Sequence, residues 1–188
     1  MNFTTQLKTK RPVSSSTLRS LLEKVTWERN TILHLAVNFE NKVIAEKILE
    51  SDQRLLYKTN NKGDTALHIA SRFGYTEMVE LLIKYRKQDV EQGMNLLRKQ
   101  NSEEDTALNV AVRKGEKKIV KLLIDDDPTL ALMKNKAEES PLFLAVDREF
   151  YDIALEILKL EKCSPEGRNN MNALQAAVIR TYKCKSPN

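Results

Sequence analysis

Apolar positions recur along this chain in two interleaved sets whose phase repeats over a long period. The segments beginning at Thr31, Thr65, Thr106, Ser140 and Asn172 each open on a hydroxyl or amide side chain, place leucine two positions later and close on alanine at the sixth. Successive segments start 34, 41, 34 and 32 residues apart. The second set follows in step, with Ile44, Met78, Ile119 and Ile153 eight residues beyond the first four alanines and Ile48, Leu82, Leu123 and Ile157 twelve beyond. A spacing of four puts two side chains on one face of a helix, so each period predicts two short helices with facing apolar stripes. Four periods are complete, and the fifth has eleven residues after Ala177.

The polar positions between the stripes predict the turns. Gly74 and Gly115 stand where the chain passes from first to second helix, a place that asks for the left-handed conformation. Glu40 and Glu149 hold that place in periods one and four, at an expected cost of about 1 kcal/mol each. Ahead of each segment, Arg29-Asn30, Gly63-Asp64, Glu104-Asp105, Glu138-Glu139 and Asn170-Met171 predict tight hairpin turns. Leu55-Leu56-Tyr57 and Leu130-Ala131-Leu132-Met133 are expected to pack beneath two of them.

The segment Thr65-Ala66-Leu67-His68-Ile69-Ala70 resembles the T-P-L-H-x-A signature of the ankyrin repeat, whose period is about 33 residues. The resemblance implies an all-α ankyrin-repeat solenoid of helix-turn-helix units with hairpin fingers, each unit packing on its neighbours. Residues 1–16 are polar and basic, with Ser14-Ser15-Ser16, and are expected to form a disordered tail. The repeat domain is expected over 17–182, comprising an N-terminal cap helix with Leu18, Leu21, Leu22 and Val25 on one stripe, four full repeats and a truncated fifth; 183–188 form a C-terminal tail. Seven extra residues around 85–99 are expected to extend a second helix or form a surface bulge that includes Val90, Met94, Leu96 and Leu97.

The net charge of +5 changes this picture little once it is located. Residues 1–30 and 159–188 each hold six Lys/Arg against two acids, which leaves 31–158 with a net charge of −3. A basic nucleic-acid-reading surface is therefore disfavoured, and the basic ends would supply only weak, salt-sensitive binding. No run approaches the ~18 apolar residues of a membrane span, so no transmembrane segment is expected. Cys163 and Cys184 lack partners at ligand spacing and are expected to be reduced thiols.

His34 and His68, the only histidines, fall at the same repeat position and are expected to tie one repeat to the next rather than to catalyse or bind metal. No nucleophile elbow, phosphate loop or metal spacing occurs, so the reading is a non-enzyme with no cofactor, no metal and no small-molecule substrate. The expected protein-binding positions lie two and three residues past each repeat alanine: Asn38 and Phe39, Arg72 and Phe73, Arg113 and Lys114, Asp147 and Arg148. Trp27, Lys62, Tyr75 and Glu104 lie near them, which mixes aromatic and arginine anchors in the manner of binding hot spots.

A narrower resemblance rests on Asp127-Pro128-Thr129-Leu130-Ala131, Glu139-Ser140-Pro141-Leu142-Phe143-Leu144-Ala145-Val146, Ser164-Pro165-Glu166-Gly167-Arg168-Asn169-Asn170 and Ala173-Leu174-Gln175-Ala176-Ala177-Val178-Ile179. These stretches are similar to plant ankyrin-repeat proteins of the accelerated-cell-death type. That resemblance implies a cytoplasmic interaction domain in plant defence or stress signalling, followed in the family by a membrane region called the PGG domain. The later repeats and that membrane region are expected to be absent, so membrane residence is not expected to carry over from the family. The partners it implies are proteins, including membrane-anchored ankyrin relatives that a soluble form would modulate at the cytoplasmic face of a membrane. The competing expectation is a fragment without an independent function.

Overall fold

In a computed structural model, residues 26–87 and 93–185 are described. The basic tail, the cap helix and Val90 lie outside these residues. Among the described residues there are ten α-helices, three 3-10 turns and no strand.

The first helices of the five repeats are α1 (Ile32–Asn38), α3 (Ala66–Phe73), α6 (Ala107–Lys114), α8 (Pro141–Asp147) and α10 (Ala173–Lys185). The second helices are α2 (Lys42–Ser51), α4 (Thr76–Lys87), α7 (Lys117–Asp126) and α9 (Tyr151–Leu158), while α5 (Gly93–Arg98) follows α4. First helices stack on first helices and second on second, so two layers enclose one continuous core. Leu33, Leu67, Leu108 and Leu142 of the repeat motif are buried in it, as are Ile48, Leu82, Leu123 and Ile157 opposite them.

The first four of these first helices close in the same way. The motif alanine carbonyl accepts from the N–H five residues on, at Asn41 (2.8 Å), Tyr75 (3.0 Å), Glu116 (3.0 Å) and Phe150 (2.8 Å). That closure requires a left-handed residue just before the donor. Gly74 and Gly115 adopt it at φ 74° and 78°, and Glu40 and Glu149 are forced into it at 51° and 63°.

The insertion is resolved by register. Leu55-Leu56, Leu96-Leu97 and Leu130-Ala131 all stand ten and nine residues ahead of the next repeat motif, and all are buried. Helix α5 thus takes the place held elsewhere by the 3-10 turns Gln53–Tyr57 and Pro128–Leu132, and the added length begins in α4, which is two residues longer than α2. Arg98 of α5 is clamped to Asp127 (2.7 Å) and Thr129 (2.9 Å), and buried Arg86 of α4 pairs with Asp126. The described residues on either side of 88–92 are thus tied into the stack.

Helix α10 continues to Lys185, past the boundary drawn at 182, because no glycine turn or second-helix pattern interrupts it. It packs on α8 through Ala173 and Ala176, while Leu174 is 74 % exposed. The leucine that is core in four repeats is surface in the fifth.

Candidate interaction surface

Three of the fingers are built by one asparagine each. Asn60 Oδ1 accepts from the N–H groups of Lys62 (2.9 Å) and Asp64 (3.1 Å), Asn101 Oδ1 from Glu103 (3.0 Å) and Asp105 (3.1 Å), and Asn135 Oδ1 from Ala137 and Glu139 (both 3.0 Å). The side chain thereby substitutes for backbone in closing the turn. At the tips Gly63, Glu104 and Glu138 are left-handed, with φ of 71°, 57° and 62°. Neighbouring fingers are joined by backbone bonds of 2.9 Å from Asn61 to Glu28, Ser102 to Lys62 and Lys136 to Glu103.

The other end of each asparagine reaches back one repeat. Asn60 Nδ2 donates to Asn30 Oδ1 (3.0 Å), Asn101 Nδ2 to Asp64 (2.9 Å) and Asn135 Nδ2 to Asp105 (3.0 Å). Arginines on the first helices complete the pairing: Arg72 holds Asp64 with two bonds of 2.8 and 3.0 Å, and Arg113 holds Asp105 at 2.9 Å. Further along, Arg168 bridges Glu139 (2.9 Å) and Asp147 (3.0 Å), and Arg180 meets Asp147 at 2.8 Å. A ladder of buried carboxylates under half-exposed guanidinium groups therefore lines the angle between fingers and first helices. Burial pushes the Asp64 carboxyl up, but the hydrogen bonds from Arg72 and Asn101 outweigh it and hold the group below its ordinary range.

Both histidines are part of the same framework. His34 Nε2 lies 2.9 Å from the Asp64 carbonyl and His68 Nε2 3.0 Å from that of Asp105. A carbonyl only accepts, so Nε2 carries the proton, and Nδ1 accepts from the Thr31 and Thr65 N–H groups at 3.1 and 3.2 Å. Burial lowers both imidazole pKa values from 6.5, against the opposing pull of Asp64. Each ring is a neutral crosslink between repeats, with no nitrogen left for chemistry.

The expected binding positions divide into two kinds. Trp27 at the first finger (86 % exposed), Phe39 at the end of α1 (80 %) and Phe73 at the end of α3 (54 %) are open, and Phe73 stacks on Tyr75 with ring centres 5.6 Å apart. Lys62 and Glu104 are exposed at fingertips, Lys114 and Arg148 are exposed at helix ends, and Asn38 is half-buried. Arg72, Arg113 and Asp147, by contrast, are engaged in the ladder. A trough of about 390 Å³ lies between Val110, Arg113 and Lys114 of α6 and the finger residues Asn101, Glu103 and Ala137.

Sequence reasoning missed the asparagine–carboxylate framework. Its signal was present: Asn five residues before the motif and Asp or Glu one before it, at Asn60/Asp64, Asn101/Asp105 and Asn135/Glu139. Among the described residues no group of three His, Cys, Asp or Glu side chains is placed to hold a metal ion, and no helix is long and apolar enough to cross a membrane.

Comparison with known proteins gives a consistent result. The family description "Ankyrin repeats (3 copies)" matches residues 11–94, 33–131 and 92–168. An ankyrin repeat-containing protein of Arabidopsis thaliana is 38 % identical over 74 residues, 36 % of this chain and 14 % of its own length. A leucine-rich repeat serine/threonine-protein kinase of Caenorhabditis elegans is 35 % identical over 57 residues, 30 % of this chain and 2 % of its own length. The chain thus spans a small part of each of these relatives.

Proposed function

Because the chain belongs to the ankyrin-repeat family, we propose that it is a non-catalytic module that grips a protein partner along the side formed by its fingers and first-helix ends. The observation that carries this reading is the exposure of Trp27, Phe39 and Phe73 in repeats one and two, with an arginine-lined trough in the repeats that follow. Large aromatics left open to water at successive repeats cost solvation that a partner recovers, and aromatic and arginine side chains dominate binding energy in protein interfaces. Asn38, Lys62, Tyr75, Glu104, Lys114 and Arg148 form the surrounding polar rim in this proposal, and Arg72, Arg113 and Asp147 its floor. The setting we propose is plant defence or stress signalling in the cytoplasm; the plant-type motifs support it, and the Arabidopsis relative supports a plant ankyrin-repeat protein only.

Affinity capture from plant tissue with the intact chain and with a Phe39→Ala/Phe73→Ala variant tests this. Specific proteins recovered by the intact chain and lost with the variant are expected, and equal recovery by both overturns the site. Arg72→Ala is unsuitable for this purpose, because it uncovers the buried Asp64 and confounds folding with binding.

A second reading rests on the exposed Leu155, Leu158, Leu174, Val178 and Ile179 of the last two helices. We propose that this end takes a helical unit of a membrane-anchored ankyrin relative, so that the chain modulates that protein at the membrane's cytoplasmic face. Failure to co-precipitate with any such relative sinks this reading and leaves the first intact.

A further inference from the structure

Counting eight residues from the start of each repeat motif gives Phe39, Phe73, Lys114 and Arg148, one side chain per repeat at an equivalent point on successive first helices. The row changes character at its midpoint. Its first half is two open aromatics, the second of them propped by stacking on Tyr75. Its second half is two exposed cations, and among the described residues neither Lys114 nor Arg148 forms an ion pair. The next position, Arg180, is spoken for by Asp147. The cations one residue earlier, Arg72 and Arg113, are likewise neutralised by the ladder, so along the first-helix ends the unpaired positive charge among the described residues falls on Lys114 and Arg148.

We infer that this row reads an extended peptide of a partner protein that carries two apolar side chains at one end and two carboxylates at the other, one per repeat. The inference rests on the reading of this side as the interaction surface. Packed helices lie about 8–10 Å apart, and a peptide extended in the polyproline II conformation has three residues per turn at about 3.1 Å each, so side chains three residues apart face the same way one repeat apart. The expected pattern is therefore apolar at positions i and i+3 and Asp or Glu at i+6 and i+9. A single-stranded nucleic acid fits less well. Its phosphates and bases alternate along the strand, whereas here the cations and aromatics are segregated, and the exposed fingertip carboxylate Glu103 lines the same trough as Lys114.

The test is selection of random twelve-residue peptides displayed on phage against the full chain, followed by fluorescence anisotropy of a selected peptide. Enrichment of the apolar-then-acidic pattern, in either chain direction, is expected. Lys114→Glu/Arg148→Glu then weakens that peptide by about tenfold or more, an effect that shrinks as salt rises, while Phe39→Ala/Phe73→Ala weakens it by about tenfold at any salt. All four side chains are exposed, so these variants are expected to keep the helical circular dichroism of the parent. Enriched peptides without the acidic half, whose binding is still lost in the phenylalanine variant, overturn this inference and leave the proposed surface standing. Peptides indifferent to both double variants, or no enrichment, overturn both. Tight binding of a mixed single-stranded oligonucleotide that Lys114→Glu/Arg148→Glu abolishes also overturns the peptide assignment.

Discussion

The first two junctions between repeats and the last two are closed by different chemistry. Between repeats one and two, and two and three, an imidazole donates to the next repeat's backbone carbonyl. Between repeats three and four the same position is Asn109, whose shorter side chain bonds only its own Thr106 and leaves a buried Nδ2 without a partner. Between repeats four and five it is Phe143, fully buried beneath the backbone of Gly167 and flanked by the Arg168 guanidinium 5.9 Å from its ring centre. One position thus carries a hydrogen-bonded tie, a broken tie or an apolar plug. The solenoid tolerates all three because the finger asparagines cross the first three junctions independently of it, to Asn30, Asp64 and Asp105, and Arg168 reaches Glu139 across the fourth.

The largest expected effect comes from cutting an intact tie. His68→Ala removes a buried ring, leaves a cavity and orphans the Thr65 N–H and the Asp105 carbonyl, for a loss of about 3–4 kcal/mol in urea unfolding followed by circular dichroism. The pH dependence separates the tie from mere volume. Burial holds the folded-state pKa of His34 and His68 below 6.5, so the unfolded chain binds more protons below that pH. Their contribution is complete above about pH 6.5 and drains away as the pH falls beneath it. His68→Gln should flatten part of that slope; an unchanged slope would show that the ring is not held neutral.

Next in size is the plug. A Cβ on Gly167 would lie 2.0 Å from a Phe143 ring carbon, a distance no side chain tolerates without moving its neighbour. Gly167 is not in a left-handed conformation, so its lack of a side chain serves close approach alone. Gly167→Ala is expected to cost about 2–3 kcal/mol, and Phe143→Leu in the same chain to recover part of that loss by making room. Additive losses from the two changes would show that they do not meet, contrary to the packing described above.

The broken tie makes a prediction of opposite sign. Asn109→His places at the third junction the ring that already fits the same position of repeats one and two, and it removes an unpaired buried amide. A gain of about 1 kcal/mol is expected, read as a higher urea midpoint at unchanged slope. A loss would mean that the Glu139 carbonyl is out of reach of the imidazole, and that the third junction differs in geometry as well as in sequence.

How legible all this was depends on the length scale of each cause. Helices, turns and repeat number are set by periods and by local residues such as Gly74, Thr65 and Pro141, so the hydrophobic pattern reveals them. The histidine ties were legible because one residue type recurs in register at His34 and His68. The ladder was not, because Asp64 and Arg72 look like surface charge until the fold brings Asn101 of the next repeat onto the same carboxylate. For that reason Arg72 and Arg113 are indistinguishable in the sequence from Lys114, although they point their charge inward and Lys114 does not. Leu96 and Leu97 were counted with the insertion for a related reason: they declare themselves core only when counted back from the following motif.

The smallest expected effect concerns the inter-helix turns, where the two halves can be compared within one motif. Gly74 and Gly115 supply the left-handed residue at no steric cost, whereas Glu40 and Glu149 adopt it with a Cβ that crowds the backbone. Glu149→Gly and Glu40→Gly each relieve that strain but give back part of it as unfolded-chain entropy, for an expected net gain of about 0.5–1 kcal/mol. Glu149 also adds to the field that favours the Arg180 guanidinium, so its replacement forfeits a little at the fourth junction that Glu40→Gly does not. Glu40→Gly should therefore stabilise slightly more than Glu149→Gly. Equal gains would mean that this charge is fully screened, and a larger gain at Glu149 would place more strain in repeat four than its φ of 63° implies.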